Sequence, residues 1–157
     1  MKIKLLLTGK TNDKALQELS EKYSKRIRSF AGFETEVIPA LKNTKNLPVP
    51  QIKEKEGKAI LSRLQPADFV VLLDEKGKEM SSEKFADFLK KQMNSGVKNL
   101  VFVVGGAYGF SEAVYQRANM KLALSQMTFS HQLVRVIFLE QLYRGLAILN
   151  HHPYHNP

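Results

Sequence analysis

Three features point to an α/β protein, a parallel-rich sheet with helices on both faces. Two runs, "DFVVLLD" (68–74) and "NLVFVV" (99–104), are apolar through their interiors without alternation, as strands buried on both faces are. Segments with apolar residues at three- and four-residue spacing lie on either side of them. The two kinds of segment alternate along the chain, in the order of βαβ units.

Taken in order, "IKLLLT" (3–8) reads as a strand that ends at Gly9. Ala15, Leu16, Leu19, Tyr23, Ile27 and Phe30 then mark an amphipathic helix entered through Thr11 or Asn12. Lys25, Arg26 and Arg28 fall in its last turn, where cations favour the helix dipole, and Gly32 ends it. "ETEVIPA" follows as a second strand, and the Pro- and Asn-containing residues 41–50 as a loop. "QIKEKEGKAILSRL" is a charged helix, followed by strand 68–74. Ser81 or Ser82 caps a helix with the buried stripe Phe85, Phe88, Leu89 and Met93, which Gly96 stops. After strand 99–104, Ser111 caps the short helix "EAVYQRA", "KLALS" (121–125) forms the last strand, and residues 131–149 form the final helix.

Length and composition set the bounds. A chain of 157 residues with 43% hydrophobic residues and six prolines fits one compact domain, residues 1–157, with a real core. No apolar run is long enough to span a membrane. The start "MKIKLLLTGK" is basic, but its apolar stretch is too short for a signal sequence and no cleavage site follows. The absence of cysteine removes disulfides and thiolate metal sites and points to a cytoplasmic protein. The net charge is +9, and residues 1–60 hold 13 Lys/Arg against 7 Asp/Glu. Such a concentration of positive charge suits a polyanion such as nucleic acid, or serves simply as a solubilising surface.

Ligands of open α/β sheets bind beyond the carboxyl ends of the strands, and three such ends carry unusual residues: "LDEKG" (73–77), "GGAYG" (105–109) and "LSQMTF" (124–129). Glycines after a strand permit close approach or positive φ, or form a plain turn. "GGAYG" is neither a dinucleotide fingerprint nor a phosphate-binding Walker loop. "LSQMTFS" combines backbone donors and acceptors with apolar Met127 and Phe129, which suits a flat heterocycle. The final helix is apolar nearly all round, more than one covered face requires, and a second subunit is the economical cover. Glu140 and Arg144 have the spacing of an i,i+4 ion pair, while Arg135 shares a face with His131 and is free to point at a ligand.

The segments "VVGGAYGF", "LALSQMTFSHQLVRVIFLEQLYRG" and "NHHPYH", in this order in a chain of matching length, resemble the RlmH family of large-subunit (23S) rRNA pseudouridine methyltransferases within the SPOUT superfamily. The resemblance runs over essentially the whole chain. It implies a C-terminal deep trefoil knot, an exception to the usual unknotted topology, which no hydrophobic pattern reveals. It also implies a homodimer that uses S-adenosyl-L-methionine to methylate N3 of a pseudouridine in an rRNA hairpin loop, on the assembled 70S ribosome. The implied cofactor contacts are Leu73, Gly105, Leu124, Ser125, Gln126, Met127, Thr128 and Phe129, which lie on the three strand ends already singled out. Ser130 stands where many relatives have proline, and it still suits a helix start.

The chemistry that follows is positioning of an electrophilic methyl group and help for a weakly acidic N3–H to leave. His131, Arg135, Tyr154 and His155 are the candidates to act at the base. Lys22, Lys25 and Arg26 are the candidates to hold rRNA phosphates. The tail "NHHPYHNP" is expected to form part of the substrate side and to order fully only on the ribosome. Adjacent histidines at 151 and 152 rarely share one ion, so no metal is expected, and no membrane contact either. A non-catalytic RNA-binding factor for ribosome assembly is the alternative; it explains the charge and leaves the three strand-end loops without a purpose.

Overall fold

The computed structural model describes residues 1–157. Ten elements alternate: β1 (Lys2–Thr8), α1 (Lys14–Arg28), β2 (Gly32–Ile38), α2 (Val49–Ser62), β3 (Phe69–Glu79), α3 (Ser82–Asn94), β4 (Asn99–Val104), α4 (Glu112–Arg117), β5 (Met120–Ala123) and α5 (Leu133–Leu149). They build one five-stranded sheet in the order β2-β1-β4-β3-β5. Every pairing is parallel, with Leu5 opposite both Thr35 and Phe102.

The apolar strands are explained by two cores. Leu5 and Leu7 of β1 and Leu100, Phe102 and Val104 of β4 face α1, α3 and α5. Their neighbours Leu6, Val101 and Val103 face the other way, toward Ile60 of α2 and Val114 of α4. Residues 5–7 of β1 and 100–104 of β4 therefore enter one core or the other in alternation, which explains why both stretches are apolar throughout. Phe102 and Phe138, both fully buried with centroids 4.7 Å apart, centre the larger core. Truncating either ring there costs about 3–5 kcal/mol.

Several boundaries differ from expectation. Asp13, rather than Thr11 or Asn12, caps α1, accepting the N–H groups of Ala15 (2.8 Å) and Leu16 (3.3 Å). β2 begins at Gly32, opposite Lys2. The segment expected to be loop up to residue 50 already turns into α2 at Val49, because Pro50 fits the first helical turn, where its missing N–H leaves no bond unmade. Ser81 and Ser111 cap α3 and α4 as expected.

β3 runs five residues past its expected end. Its register against β5 jumps, Leu73 and Lys78 both lying opposite Leu122. The intervening residues press onto β5 so closely that a Cβ on Gly77 would lie 2.6 Å from the Lys121 carbonyl carbon, so only glycine fits. β5 lies beyond β3, so the link from β4 crosses β3 before α5 begins.

α5 is covered by its own chain. It packs against α1 on one flank and α3 on the other, and its one exposed large apolar side chain is Leu133. The composition of α5 predicts a second subunit as its cover, yet one chain already supplies most of it. The sheet, two helices and the C-terminal tail supply the cover.

Candidate active site

The irregular stretch of β3 between Leu73 and Lys78 and the carboxyl ends of β4 and β5 open into a cleft of about 550 Å³, within the ordinary range for small-ligand sites. Three loops wall it. In the first, Asp74 Oδ1 accepts the Lys76 N–H at 2.8 Å, while Oδ2 accepts the Tyr115 hydroxyl in a very short contact. Burial and then the Asp74 carboxylate push the Tyr115 phenol well above its usual range, so it remains a donor. Lys121 Nζ lies 5.4 Å over the Tyr115 ring. α4 is thereby tied to the end of β3.

The second loop, residues 105–110, takes its sharp turn at Gly109, where φ is +85°. Positive φ thus falls on Gly109 and not on Gly105. Gly105 is glycine for space, since a Cβ there would meet the Phe110 ring at 2.9 Å. Behind this loop lies Glu56 of α2. One of its carboxylate oxygens is buried without a partner, and burial holds its carboxyl above the usual carboxylate range.

The third loop leads from β5 into α5. Ser125 Oγ accepts the Met127 N–H at 3.0 Å, and Ser130 Oγ accepts the Leu133 N–H at 3.0 Å, so the serine in place of proline does start the helix. Thr128 reaches across to the first loop and donates to Glu75 Oε2 at 2.5 Å.

Of the residues expected to hold a cofactor, Leu73, Gly105 and Leu124 lie in the cleft wall. Ser125, Met127, Thr128 and Phe129 join them. Gln126 is exposed and is not part of the lining. His131 lies at the start of α5 and lines the cleft.

Arg135 does not point into this cleft. It is fully buried, and its guanidinium donates to the carbonyls of Thr8 (2.9 Å), Gly9 (2.9 Å) and His131 (3.0 Å) and to Thr11 Oγ1 (2.9 Å). Burial pulls its pKa below the usual arginine value. Its place in the chain is that of a buried cross-link between β1 and α5. The i,i+4 spacing that suggested a shared face with His131 is instead closed by a bond to the His131 backbone.

Tyr154 and His155 also lie away from the cleft of their own chain. The tail turns back over α5, with the His152 N–H on the Ala147 carbonyl at 2.9 Å. Tyr154 stacks edge-on against Tyr143, with centroids 4.5 Å apart, and its hydroxyl donates to Glu140 Oε1 at 3.0 Å. Glu140 is nine residues beyond His131, roughly 14 Å along the helix axis. His155 Nε2 meets Glu83 at 2.8 Å, and Arg144 Nη1 meets its Nδ1 at 3.1 Å. A neutral ring protonated at Nε2 satisfies both contacts. Tyr154 and His155 thus pack on their own chain, in a tail expected to order fully only on the ribosome. Its histidines do not converge: His151 is exposed, and His152 packs on Phe30.

Lys22 and Lys25 are exposed on α1. Arg26 covers the rings of Tyr23 and Tyr143 at 5.6 and 5.7 Å. Arg26 therefore lies beside Tyr143, against which the tail packs, and none of the three cations lines the cleft. Sequence patterns do not single out Glu56 and Glu75, which look like ordinary surface charges until the fold brings the second loop against one and the third loop against the other. They do single out Glu140 and Arg144, which pair at 2.6 Å and which Tyr154 and His155 then join.

The family model described as "Predicted SPOUT methyltransferase" matches residues 1–155. The chain is similar to the curated Ribosomal RNA large subunit methyltransferase H of Christiangramia forsetii, 56% identical over 156 residues that cover 99% of each chain. The protein of the same name from Bacteroides thetaiotaomicron is 55% identical over the same share of both. Among solved structures, a probable methyltransferase from Bordetella pertussis Tohama I superposes with a TM-score of 0.54 at 12% identity, over 92% of this chain and 96% of that one, which is a likeness of fold.

Proposed function

The chain belongs to the SPOUT methyltransferase family, and from that premise we propose that its single domain, residues 1–157, uses S-adenosyl-L-methionine to methylate large-subunit rRNA. The finer reading is methylation at N3 of a pseudouridine in a 23S rRNA hairpin loop, on the assembled 70S ribosome in the cytoplasm. The observation that carries the proposal is the cleft itself. Three loops distant in sequence meet there, and they are the loops that bear Leu73, Gly105 and residues 124–129. Relatives named for large-subunit rRNA methylation, similar over nearly their whole length, support the substrate class.

The residues present fit such a cofactor. Leu73, Leu124, Met127 and Phe129 offer apolar faces to an adenine, and the backbone of 124–129 offers its edges hydrogen bonds. When bound, the sulfonium would supply an electrophilic methyl group. His131, which lines the cleft, would receive the base. Holding the two reactants in line contributes about 7 kcal/mol or more. The proton on N3 would pass to a side chain or to water.

The site of one chain is incomplete on this reading, because Tyr154 and His155 lie on the far part of α5. A homodimer that sets the tail of one copy over the cleft of the other would complete it. Leu133, exposed at the cleft end of α5, and the half-exposed Ile137 give a second copy an apolar seat. The deep trefoil knot belongs to the same proposal, and the crossing of β3 between β4 and β5 is compatible with it.

Calorimetry with S-adenosyl-L-methionine separates this reading from a non-catalytic RNA-binding factor. Saturable binding, abolished or weakened when Met127 and Phe129 are replaced by serine, is expected. A chain that binds rRNA and ignores the cofactor would favour the assembly factor.

A further inference from the structure

Four charged side chains line the cleft besides His131: Lys53, Lys76, Asp74 and Glu75. Two of the four are carboxylates. Asp74 is occupied on both oxygens, by the Lys76 N–H and the Tyr115 hydroxyl. Glu75 is different. One of its oxygens is held by Thr128, which fixes the carboxylate at the cleft wall, and the other has no hydrogen-bond partner. The contact spans the first and third loops, across the cleft in which a cofactor would lie.

The spent cofactor is almost the same molecule as the fresh one. S-adenosyl-L-homocysteine keeps the adenine, the ribose, the amine and the carboxylate. It loses one methyl group and the positive charge on sulfur. Apolar faces and backbone hydrogen bonds hold both forms about equally, and an interaction equal in both states cannot help the product leave. A fixed negative charge can tell them apart, because only the sulfonium is attracted to it.

We infer that Glu75 makes the cleft prefer the cationic cofactor to its neutral demethylated product, and so favours exchange of one for the other between turnovers. This rests on the cofactor reading given above. Lys53 and Lys76 act in the opposite sense, so removing Glu75 tips the cleft toward the product. Because Glu75 is exposed, its effect is moderate and shrinks as salt rises.

The test is calorimetric titration of the dialysed protein with each ligand in turn, at low and at high salt. Wild type is expected to bind both. Glu75→Gln is expected to lose about three- to tenfold in affinity for S-adenosyl-L-methionine at low salt while its affinity for S-adenosyl-L-homocysteine stays within about twofold. Glu75→Asp should keep most of the preference. Thr128→Val, which frees the carboxylate, should keep part of it. An equal loss for both ligands would mean that Glu75 meets the amine or ribose and would overturn the inference, as would no change for either. A wild-type chain that binds neither ligand would overturn the cofactor reading itself, and this inference with it.

Discussion

Tyr154 donates its hydroxyl to Glu140 Oε1 at 3.0 Å, the same oxygen that Arg144 Nη2 grips at 2.6 Å. One carboxylate oxygen thus fastens the tail to the helix that starts at the cleft. Burial, and after it the Glu140 carboxylate, hold the Tyr154 phenol above its usual range, so it stays a donor at neutral pH. Arg144, its cation 4.8 Å over the Tyr154 ring, presents a positive charge at the same spot. The tail and the middle of α5 form one preorganised surface.

Truncation after Asn150 tests that surface. It uncovers Tyr143 and leaves the cleft loops untouched, so stability should fall by about 1–2 kcal/mol and cofactor affinity should hold. Methyl transfer to ribosomes should drop by about a hundredfold or more, because the base loses its positioning groups. Tyr154→Phe removes a single hydrogen bond, costing about 1 kcal/mol of stability and a smaller part of the rate. A truncated chain with the full rate would exclude the tail from the substrate side.

Arg135 is expected to matter for folding. Arg135→Met strips donors from the carbonyls of Thr8, Gly9 and His131 in a fully buried place, at a cost of about 3 kcal/mol or more. Chemical denaturation reads it directly. If Arg135→Lys or Arg135→Met instead keeps wild-type stability and loses methyl transfer, the guanidinium serves the reaction after all.

Arg144 and Arg135 differ in how far the sequence can place them. Arg144 pairs with Glu140 within one helix, so spacing alone finds it. Arg135 is different, because its spacing from His131 fits a shared face equally well whether the guanidinium turns out to a ligand or in toward β1, and only the fold decides. The strands are legible because residues such as Leu5, Leu6 and Leu7 have a core on each side, and the caps at Ser81 and Ser111 because a hydroxyl before a helical period has one use there. The three cleft loops are legible as strand ends. The extension of β3 to Glu79 is hidden, since "EKGKE" has no apolar pattern and owes its conformation to pairing with β5. The self-cover of α5 depends on helices far away in sequence.

Glu56 gives a pH signature. Burial raises its carboxyl above the usual range, so the folded chain keeps a proton that the unfolded chain has already lost. Stability therefore falls as pH rises through the ordinary carboxylate range, and levels off once the folded-state carboxyl has ionised. Glu56→Gln removes this contribution. Its Tm should match wild type at low pH, where both side chains are neutral, and exceed it by a constant margin above the folded-state pKa. A Tm difference that does not vary with pH would show that the Glu56 carboxyl is not perturbed.

The cations of α1 should act through phosphates. Replacing Lys22, Lys25 and Arg26 by alanine should weaken rRNA binding across sequences. It should also flatten the plot of log affinity against log salt by roughly 0.7–0.9 for each phosphate no longer neutralised. An unaltered slope would remove this face of α1 from the RNA surface. Arg26→Ala alone should also loosen Tyr143, since the cation covers that ring.

We propose that this cleft, with its tail, methylates large-subunit rRNA. The direct measurement uses ribosomes from a strain deleted for the gene, incubated with the purified protein and S-adenosyl-L-methionine carrying an isotopic methyl group. Naked rRNA, 50S subunits and 70S particles are compared, and the rRNA is digested and read by mass spectrometry. One labelled methyl group per particle is expected, on N3 of a single 23S pseudouridine, with 70S the best substrate. Label absent from all three, or carried by 16S rRNA or protein, would contradict it.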